Sequence, residues 1–449
     1  MFRTEVENLS FEVIKVWNFY YIYITPMTEK LLQYLWNYKV FKHFDFRDIE
    51  GNAVEILNFG KWNTDAGPDF LDAKIKIKDL VIAGNIELHV RTSDWIFHNH
   101  SQDPNYQNII LHVVYQNDAE IDDLNGKNIP TLELRAYIDH NILGKYETLM
   151  TGTQFIACEN IFSPDKIPVN FHEANVIKKL DEKSQEFEKS LELHKNDFEA
   201  VLFHSLAYSF GLKVNAYTFR LIAESVDFRI INKIRQNESQ LEALLFGISG
   251  WLENPKDTQM LMWKREFDFL RKKFSIPDLR FHPKFLRLRP PNFPTIRLSQ
   301  LSDLYLKHQN LFSKIIKADH MNELYDVFAP VKASDYWDFH FNFGKLSKFQ
   351  PKTLTKDFIE LVILNTVLPL KYTYHRYQSE EITDEILEFY RNAASEKNSI
   401  ISGWKEMGLD VKNAMESQSL IYHYKTSCEE KNCLNCGIGF KLLKESSNV

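Results

Sequence analysis

Two carboxylates and four imidazoles crowd into one short part of this chain. Asp69 follows a Gly67-Pro68 turn, Glu87 and His89 stand two residues apart, and His98, His100 and His112 come soon after. Four of the 15 histidines thus fall between positions 89 and 112, a local density that asks for a chemical reason. Carboxylate oxygens suit Mg²⁺ or Mn²⁺, and an imidazole moves the preference toward Mn²⁺ or Zn²⁺. A cation held this way can activate water and neutralise charge on a phosphate during hydrolysis. The plainer alternative is a hairpin with a solvated polar face. In that reading His98 and His100 belong to a solvated loop, and His112 is a satisfied core histidine.

The elements that would position these groups can be read from periodicity. Residues 28–39 have helical spacing, with Thr28 as N-cap and Leu31, Tyr34, Leu35 and Tyr38 on one face. "AVEILNF", "DAKIKI" and "LVIAGNIELHV" then alternate as strands, and a polar segment separates them from "NIILHVVYQ" and "IPTLELRAYI". Residues 27–140 therefore form an α+β unit. In a strand, residues two apart share a face, so Glu87 and His89 point the same way. A turn near Asp79 would fold the preceding strand back and bring Asp69 beside them.

The pair Pro68-Asp69 followed by Glu87-Leu88-His89 resembles the PD-(D/E)xK phosphodiesterase family. The resemblance implies a restriction-endonuclease-like mixed sheet with helices. It implies Asp69 and Glu87 as ligands of a Mg²⁺ or Mn²⁺ ion, with Glu29 on the first helix as a further acid. His89 stands where that family has lysine, and would position or activate the attacking water. His98 and His100 would touch substrate or metal. The segments "GPDF", "IELHVRTSDW", "HNHSQDPNYQNIILHVVY" and "SQSLIYHYKTSCEEKNCLNCGIG" also resemble the bacterial proteins grouped as domain of unknown function 2851. That resemblance runs from about Met27 to the C-terminus and carries no activity.

Three of the four cysteines, Cys428, Cys433 and Cys436, are spaced C-x4-C-x2-C, and the fourth is Cys158. Such a run plus one distant cysteine is an iron–sulfur spacing, and four thiolates also suit structural Zn²⁺, with His423 as a substitute ligand. Either centre requires Cys158 to meet the tail in space. The alternative is a set of reduced thiols around a helix end, with Cys158 in a core.

From about residue 166 the pattern is helical, with helices expected near 215–227, 238–253, 257–273, 299–318, 354–368, 381–396 and 410–425. Between Leu261 and Gln300 ten Lys or Arg face three Asp or Glu, a local balance of +7 in a chain whose net charge is −7. Within it Arg287 and Arg289 alternate among Phe281, Phe285 and Phe293, which suits a phosphate backbone with stacked bases. A solvated helix face with arginines pairing acids is the plainer reading.

The overall acidity excludes a protein that coats nucleic acid through global charge. The few cysteines exclude a disulfide-built secreted scaffold, and no apolar run has membrane-spanning length. The expectation is a cytoplasmic protein with an extension over residues 1–26, an α+β domain over 27–165, a helical domain over 166–425 and a cysteine-containing tail over 426–449. Its expected activity is metal-dependent phosphodiester hydrolysis on nucleic acid. The alternative is a non-catalytic binder of nucleic acid or protein.

Overall fold

A computed structural model of the chain describes residues 27–63, 66–100, 103–151 and 154–444. The expected extension over 1–26 lies outside the described residues. The chain divides into two compact units. One runs up to Val169 and takes in Glu406–Gly408 and the segment from His423 onward; the other comprises Asn170–Lys405 and Leu409–Tyr422. The first break between the units falls after Val169, and the residues from His423 onward group with the first unit.

In the first unit, α1 (Glu29–Asn37) begins where Thr28 accepts a hydrogen bond from the Leu31 amide, satisfying a donor that a helix start otherwise leaves open. It buries Leu31, Leu32, Tyr34, Leu35 and Trp36. Six strands follow: β1 (Val54–Asn58), β2 (Lys61–Trp62), β3 (Phe70–Ile77), β4 (Leu80–Arg91), β5 (Ile109–Gln116) and β6 (Thr131–Glu133). They form one sheet in the order β1-β3-β4-β5-β6, with β2 also on β3. The β1, β3 and β4 pairings are antiparallel, whereas β4–β5 and β5–β6 are parallel. The mixed α+β architecture expected from the pattern is thus present. The sixth strand is far shorter than "IPTLELRAYI" suggests, because the chain turns after Leu134, where the Tyr137 amide donates to the Leu134 carbonyl, and leads into the helix His140–Thr151 rather than extending the sheet.

The hairpin closes at Ile77 opposite Leu80, with the turn at Lys78-Asp79 as expected. It does not keep a single register. Ala73 lies opposite Gly84, but Phe70 lies opposite Ile86. Three steps along β3 therefore match two along β4, which is a β-bulge with one extra residue. The bulge is at Leu71-Asp72, where Asp72 has φ 56°, a left-handed conformation that Asp tolerates better than most residues. Its effect is large because side chains alternate faces. Without the extra residue Asp69 would share a face with Ile86 and Leu88; with it, Asp69 shares the face of Glu87 and His89.

Between β4 and β5 the chain makes a short helix, α2 (Asp94–Phe97), and a 3₁₀ turn at Pro104–Tyr106. Two further helices, α3 (Asp122–Gly126) and α4 (His140–Thr151), flank β6. The entry to β5 crosses β4 closely at Gly84. A Cβ there would lie 2.4 Å from Ile110 Cγ2 and 2.6 Å from the Asn108 carbonyl oxygen, so only glycine fits.

The second unit is helical apart from a small hairpin at His340–Asn342 and Lys345–Leu346. Its core is one apolar cluster that includes Val201, Phe203, Leu244, Trp263, Leu301, Phe328 and Val362. The expected single helix over 299–318 is two helices, Pro294–Lys307 and Leu311–Lys317. They part at His308, where the ring Nε2 bonds the Val327 carbonyl at 2.8 Å. The expected helix over 354–368 passes through a π-helical turn at Ile363–Val367 into a further helix, Leu368–Tyr377.

A Gly84→Ala variant should lose about 1–3 kcal/mol of stability through overpacking at the β4–β5 crossing, measured as a lower midpoint in urea unfolding of the full chain.

Candidate functional site

The bulge places Asp69 and Glu87 in a reciprocal clamp. The Asp69 amide donates to Glu87 Oε2 at 3.1 Å, and the Leu88 amide donates to Asp69 Oδ2 at 2.9 Å. Gln33, on the inner side of α1, donates its amide to Asp69 Oδ1 at 2.7 Å and lies 3.4 Å from Glu29 Oε1. Both Asp69 oxygens are therefore engaged, and α1 is tied to the bulged strand. Nothing in the sequence pattern singled out Gln33; its place one turn after Glu29 on a helix facing the sheet is the only signal it offered.

Glu87 and His89 are not on a solvated face. They are 4% and 0% exposed, because residues 94–100 and 103–106 fold back over the end of β4. Local hydrogen bonds make that fold. The Arg91 amide donates to Asp94 Oδ2 at 2.8 Å, and Ser93 donates to Asp118 through its amide and its hydroxyl. Asn99, at φ 61°, reverses the chain. Asp103 then caps the 3₁₀ turn by accepting from the Asn105 amide at 2.9 Å. Trp95 is fully buried among the rings of His89, His100 and His112, and the Tyr106 ring stacks on His100 with centroids 3.9 Å apart.

The result is a convergence of imidazoles on one atom. His89 Nε2 lies 3.1 Å from His98 Nδ1, 3.2 Å from His100 Nε2 and 3.7 Å from Glu87 Oε1; Glu87 Oε1 is 3.3 Å from His100 Nε2. A neutral imidazole nitrogen offers one hydrogen or one lone pair, so it cannot satisfy three such neighbours by hydrogen bonding. Ligand atoms around a tetrahedral Zn²⁺ at the usual bond lengths would stand about 3.4 Å apart, close to the separations of His89 from His98 and His100 and of His100 from Glu87, and the ligand atoms of the three histidines all lie within 4.8 Å of one another. The donor set thus fits a divalent cation. His98 is exposed and forms the open side; His100 is buried.

Behind the cluster, His112 Nε2 is 2.9 Å from His89 Nδ1. His112 stands beside Glu87 in the parallel β4–β5 register. A proton on His89 Nδ1 directed at His112 would leave the His89 Nε2 lone pair facing the other imidazoles, as a histidine behind a metal ligand does. The sequence left His112 open between core and ligand; the structure makes it the supporting partner of His89.

The electrostatics follow from burial. The Asp69 carboxyl is pushed well above the usual carboxylate range, first by desolvation and then by Glu87 beside it; Glu87 is raised mainly by desolvation. Glu29, half-buried, is raised by burial, which His98 partly offsets. His89 is held down to about 2, by burial first and then by His112, His100 and His98, and His112 to about 3 by burial and His100. These histidines stay neutral, the form that ligates metal.

The other expected groups fall elsewhere. Cys158, Cys428, Cys433 and Cys436 all belong to the first unit and are free thiols. Arg287 and Arg289 lie in the second unit and are exposed. The aromatics among them are not free to stack on bases: Phe281 and Phe293 pack on the helical core, and Phe285 meets Trp251 and Phe293. Lys284 is pinned by two hydrogen bonds between its backbone and Asn215. Arg271 and Arg280 pair with Asp278, and Arg297 is buried over the Phe358 ring. Five of the ten basic residues of this stretch thus lie on the helix Thr258–Phe274 and Arg297 on the helix Pro294–Lys307, and the other four lie in the loop between these helices. A second ligand-like triplet, His194, His204 and Glu224, occurs in the helical unit and was missed in the sequence because its members lie on separate helices. There the Glu224 carboxylate already accepts from Arg220 Nε at 2.6 Å.

A family model described as "Protein of unknown function (DUF2851)" matches residues 29–399. No curated protein and no solved structure matches the chain.

The buried neutral histidines set a sign for pH. An unfolded chain protonates His112 below about pH 6.5 and the folded chain does not, so this group's contribution to stability is lost as pH falls through that value. In metal-free protein, His112→Asn should therefore lose about 2 kcal/mol less stability than the parent between pH 7 and pH 5, measured by urea unfolding at both pH values.

Proposed function

We propose a divalent-metal-dependent phosphodiesterase activity on nucleic acid for this chain, which belongs to the DUF2851 family. The observation that carries the reading is the gathering of His89, His98 and His100, with Glu87 beside His89 and His100 and Asp69 clamped behind Glu87. Three imidazoles and a carboxylate favour Mn²⁺ or Zn²⁺ over the Mg²⁺ that an all-carboxylate site would take. A bound cation would supply hydroxide at neutral pH and neutralise charge on the phosphate.

The residues of the chain would do the rest. Glu87, His89, His98 and His100 would hold the cation. Asp69 would act as a positioning residue, fixing Glu87 through its amide and the Leu88 backbone through its carboxylate. His112 would fix the tautomer of His89. Glu29, half-buried with a raised pKa and within electrostatic reach of His98 and His100, is suited to exchange a proton with water or the leaving oxygen.

Two features favour a nucleic-acid phosphodiester as substrate. The first is topological. A helix, an antiparallel three-strand meander bearing the acids, and a crossover into a parallel strand are the arrangement implied by the resemblance to PD-(D/E)xK enzymes. The second is the rim: Phe97 is 80% exposed and Ile96 62% exposed, next to His98, and an exposed phenyl ring beside a metal centre suits stacking on a splayed base.

Labelled single- and double-stranded DNA and RNA, incubated with the protein and Mn²⁺ or Zn²⁺, should be cleaved. Glu87→Gln and His89→Ala should each lower the rate about 100-fold or more while keeping a cooperative melt. Intact nucleic acid bound with a steep salt dependence would instead make the protein a non-catalytic binder. Cleavage of small phosphoesters alone would move the activity to another substrate.

A further inference from the structure

The first unit contains a second convergence, built by the tail. Tyr424–Cys428 is a π-helical turn, Cys433–Asn435 a 3₁₀ turn, and a helix, Gly437–Lys444, starts directly after Cys436. Each of these irregular pieces ends or begins at a cysteine. They wrap the segment that follows α4. The Tyr424 ring stacks on Phe155 with centroids 4.9 Å apart, and Lys431 Nζ donates to the Met150 carbonyl at 2.9 Å. Lys441 Nζ reaches the Ile167 carbonyl, and a Cβ on Gly437 would lie 3.1 Å from the Pro168 ring.

Cys158 sits in the middle of that wrapped segment, buried, and Cys433 and Cys436 are buried with it. Each of the four thiols lies within electrostatic reach of the other three. The chain separation between Cys158 and Cys428 makes this a tertiary encounter, the condition the spacing alone left open. Burial pushes all four thiols upward, and hydrogen-bond donors reach one of them. The Gly439 amide, in the first turn of the last helix, donates to Cys436 Sγ at 3.4 Å, and His423 Nε2 lies 3.3 Å from the same sulfur. Donors at a helix start stabilise a sulfur that carries negative charge. The turn is close-packed: a Cβ on Gly439 would lie 2.2 Å from the Cys433 carbonyl oxygen, so only glycine lets that amide approach. Four thiols in one neighbourhood without a disulfide, one of them supplied with hydrogen-bond donors, are the donor types a thiophilic metal takes, and as a set their sulfurs stand wider apart than the ligand atoms of the histidine cluster.

We propose that Cys158, Cys428, Cys433 and Cys436 bind a thiolate-ligated metal centre, zinc or an iron–sulfur cluster, that fastens the tail to the segment after α4, with His423 as a positioning residue at Cys436. The centre is independent of the hydrolase reading, since it shares no residue with the histidine cluster.

The test is the metal and acid-labile sulfide content of the full-length protein purified without oxygen. One zinc lost in the cysteine variants, or iron with sulfide and a broad visible absorption, identifies the metal, and either result supports the centre. Cys158→Ser, Cys428→Ser, Cys433→Ser and Cys436→Ser should each lose that metal to a tenth or less of the parent. His423→Ala should keep more than half, and Glu87→Gln, which alters only the histidine cluster, should keep all of it. Thiol alkylation guards against variants that do not fold. In the native parent the four thiols should be protected, and all four should react after a chelator strips the metal. Four reactive thiols in native protein free of zinc and iron would overturn the proposal. So would a Cys158→Ser variant that retains full metal.

Discussion

One extra residue in β3 governs the arrangement of the histidine cluster. Strand side chains alternate with a period of two, so a one-residue insertion exchanges the faces of everything on one side of it. The bulge at Leu71-Asp72 turns Asp69 from the apolar face of Ile86 and Leu88 to the face of Glu87. Only then can the Asp69 amide hold Glu87 Oε2, which leaves Oε1 toward His100 and His89. The Asp69 carboxylate in turn collects Gln33 and the Leu88 amide, so the helix, the bulged strand and β4 are locked at one point. A chain with the same residue types but an unbulged hairpin would scatter them to both sides of the sheet.

The second constraint is dehydration. Trp95 and Tyr106 close the imidazoles off from water on two sides. A buried imidazole strongly disfavours its charged form, and a buried carboxylate disfavours ionisation. The cluster therefore gathers groups that are each uncomfortable with their own charge or their own neighbours. In such a place ligands are pre-positioned rather than solvated, and a cation relieves the conflict among them. His98 and Phe97 form an exposed side of the cluster.

Much of this was legible in the sequence. The order of helix and strands, the Thr28 cap, the turn at Lys78-Asp79 and the shared face of Glu87 and His89 all followed from periodicity and turn chemistry. The bulge did not, because "DAKIKI" alternates strictly from Ala73 onward and the irregularity lies just before it. The burial of Glu87 and His89 was hidden as well: a polar loop reads as solvated until Ser93, Asp94, Asn99 and Asp103 are seen to bond it back onto the sheet. The role of Phe281, Phe285 and Phe293 was ambiguous for a related reason, since an aromatic among arginines looks the same whether it faces a core or a base. The break at His308 and the π-helical turn at Ile363–Val367 depend on tertiary hydrogen bonding that periodicity does not carry.

The tail's membership in the first unit has a consequence for how the chain is made. A ribosome emits α1 and the sheet before the helical unit, and the residues from His423 after it. The helical unit has its long core in hand before His423 emerges, whereas the sheet unit waits for partners more than two hundred positions downstream of Val169. Its closure is an encounter across a very long loop, of the kind that slows folding because the entropy is spent before the contacts form. Until the tail emerges, the apolar side of α4 and the segment around Cys158 would lie uncovered, so the residues from His423 act as the latch that closes the first unit.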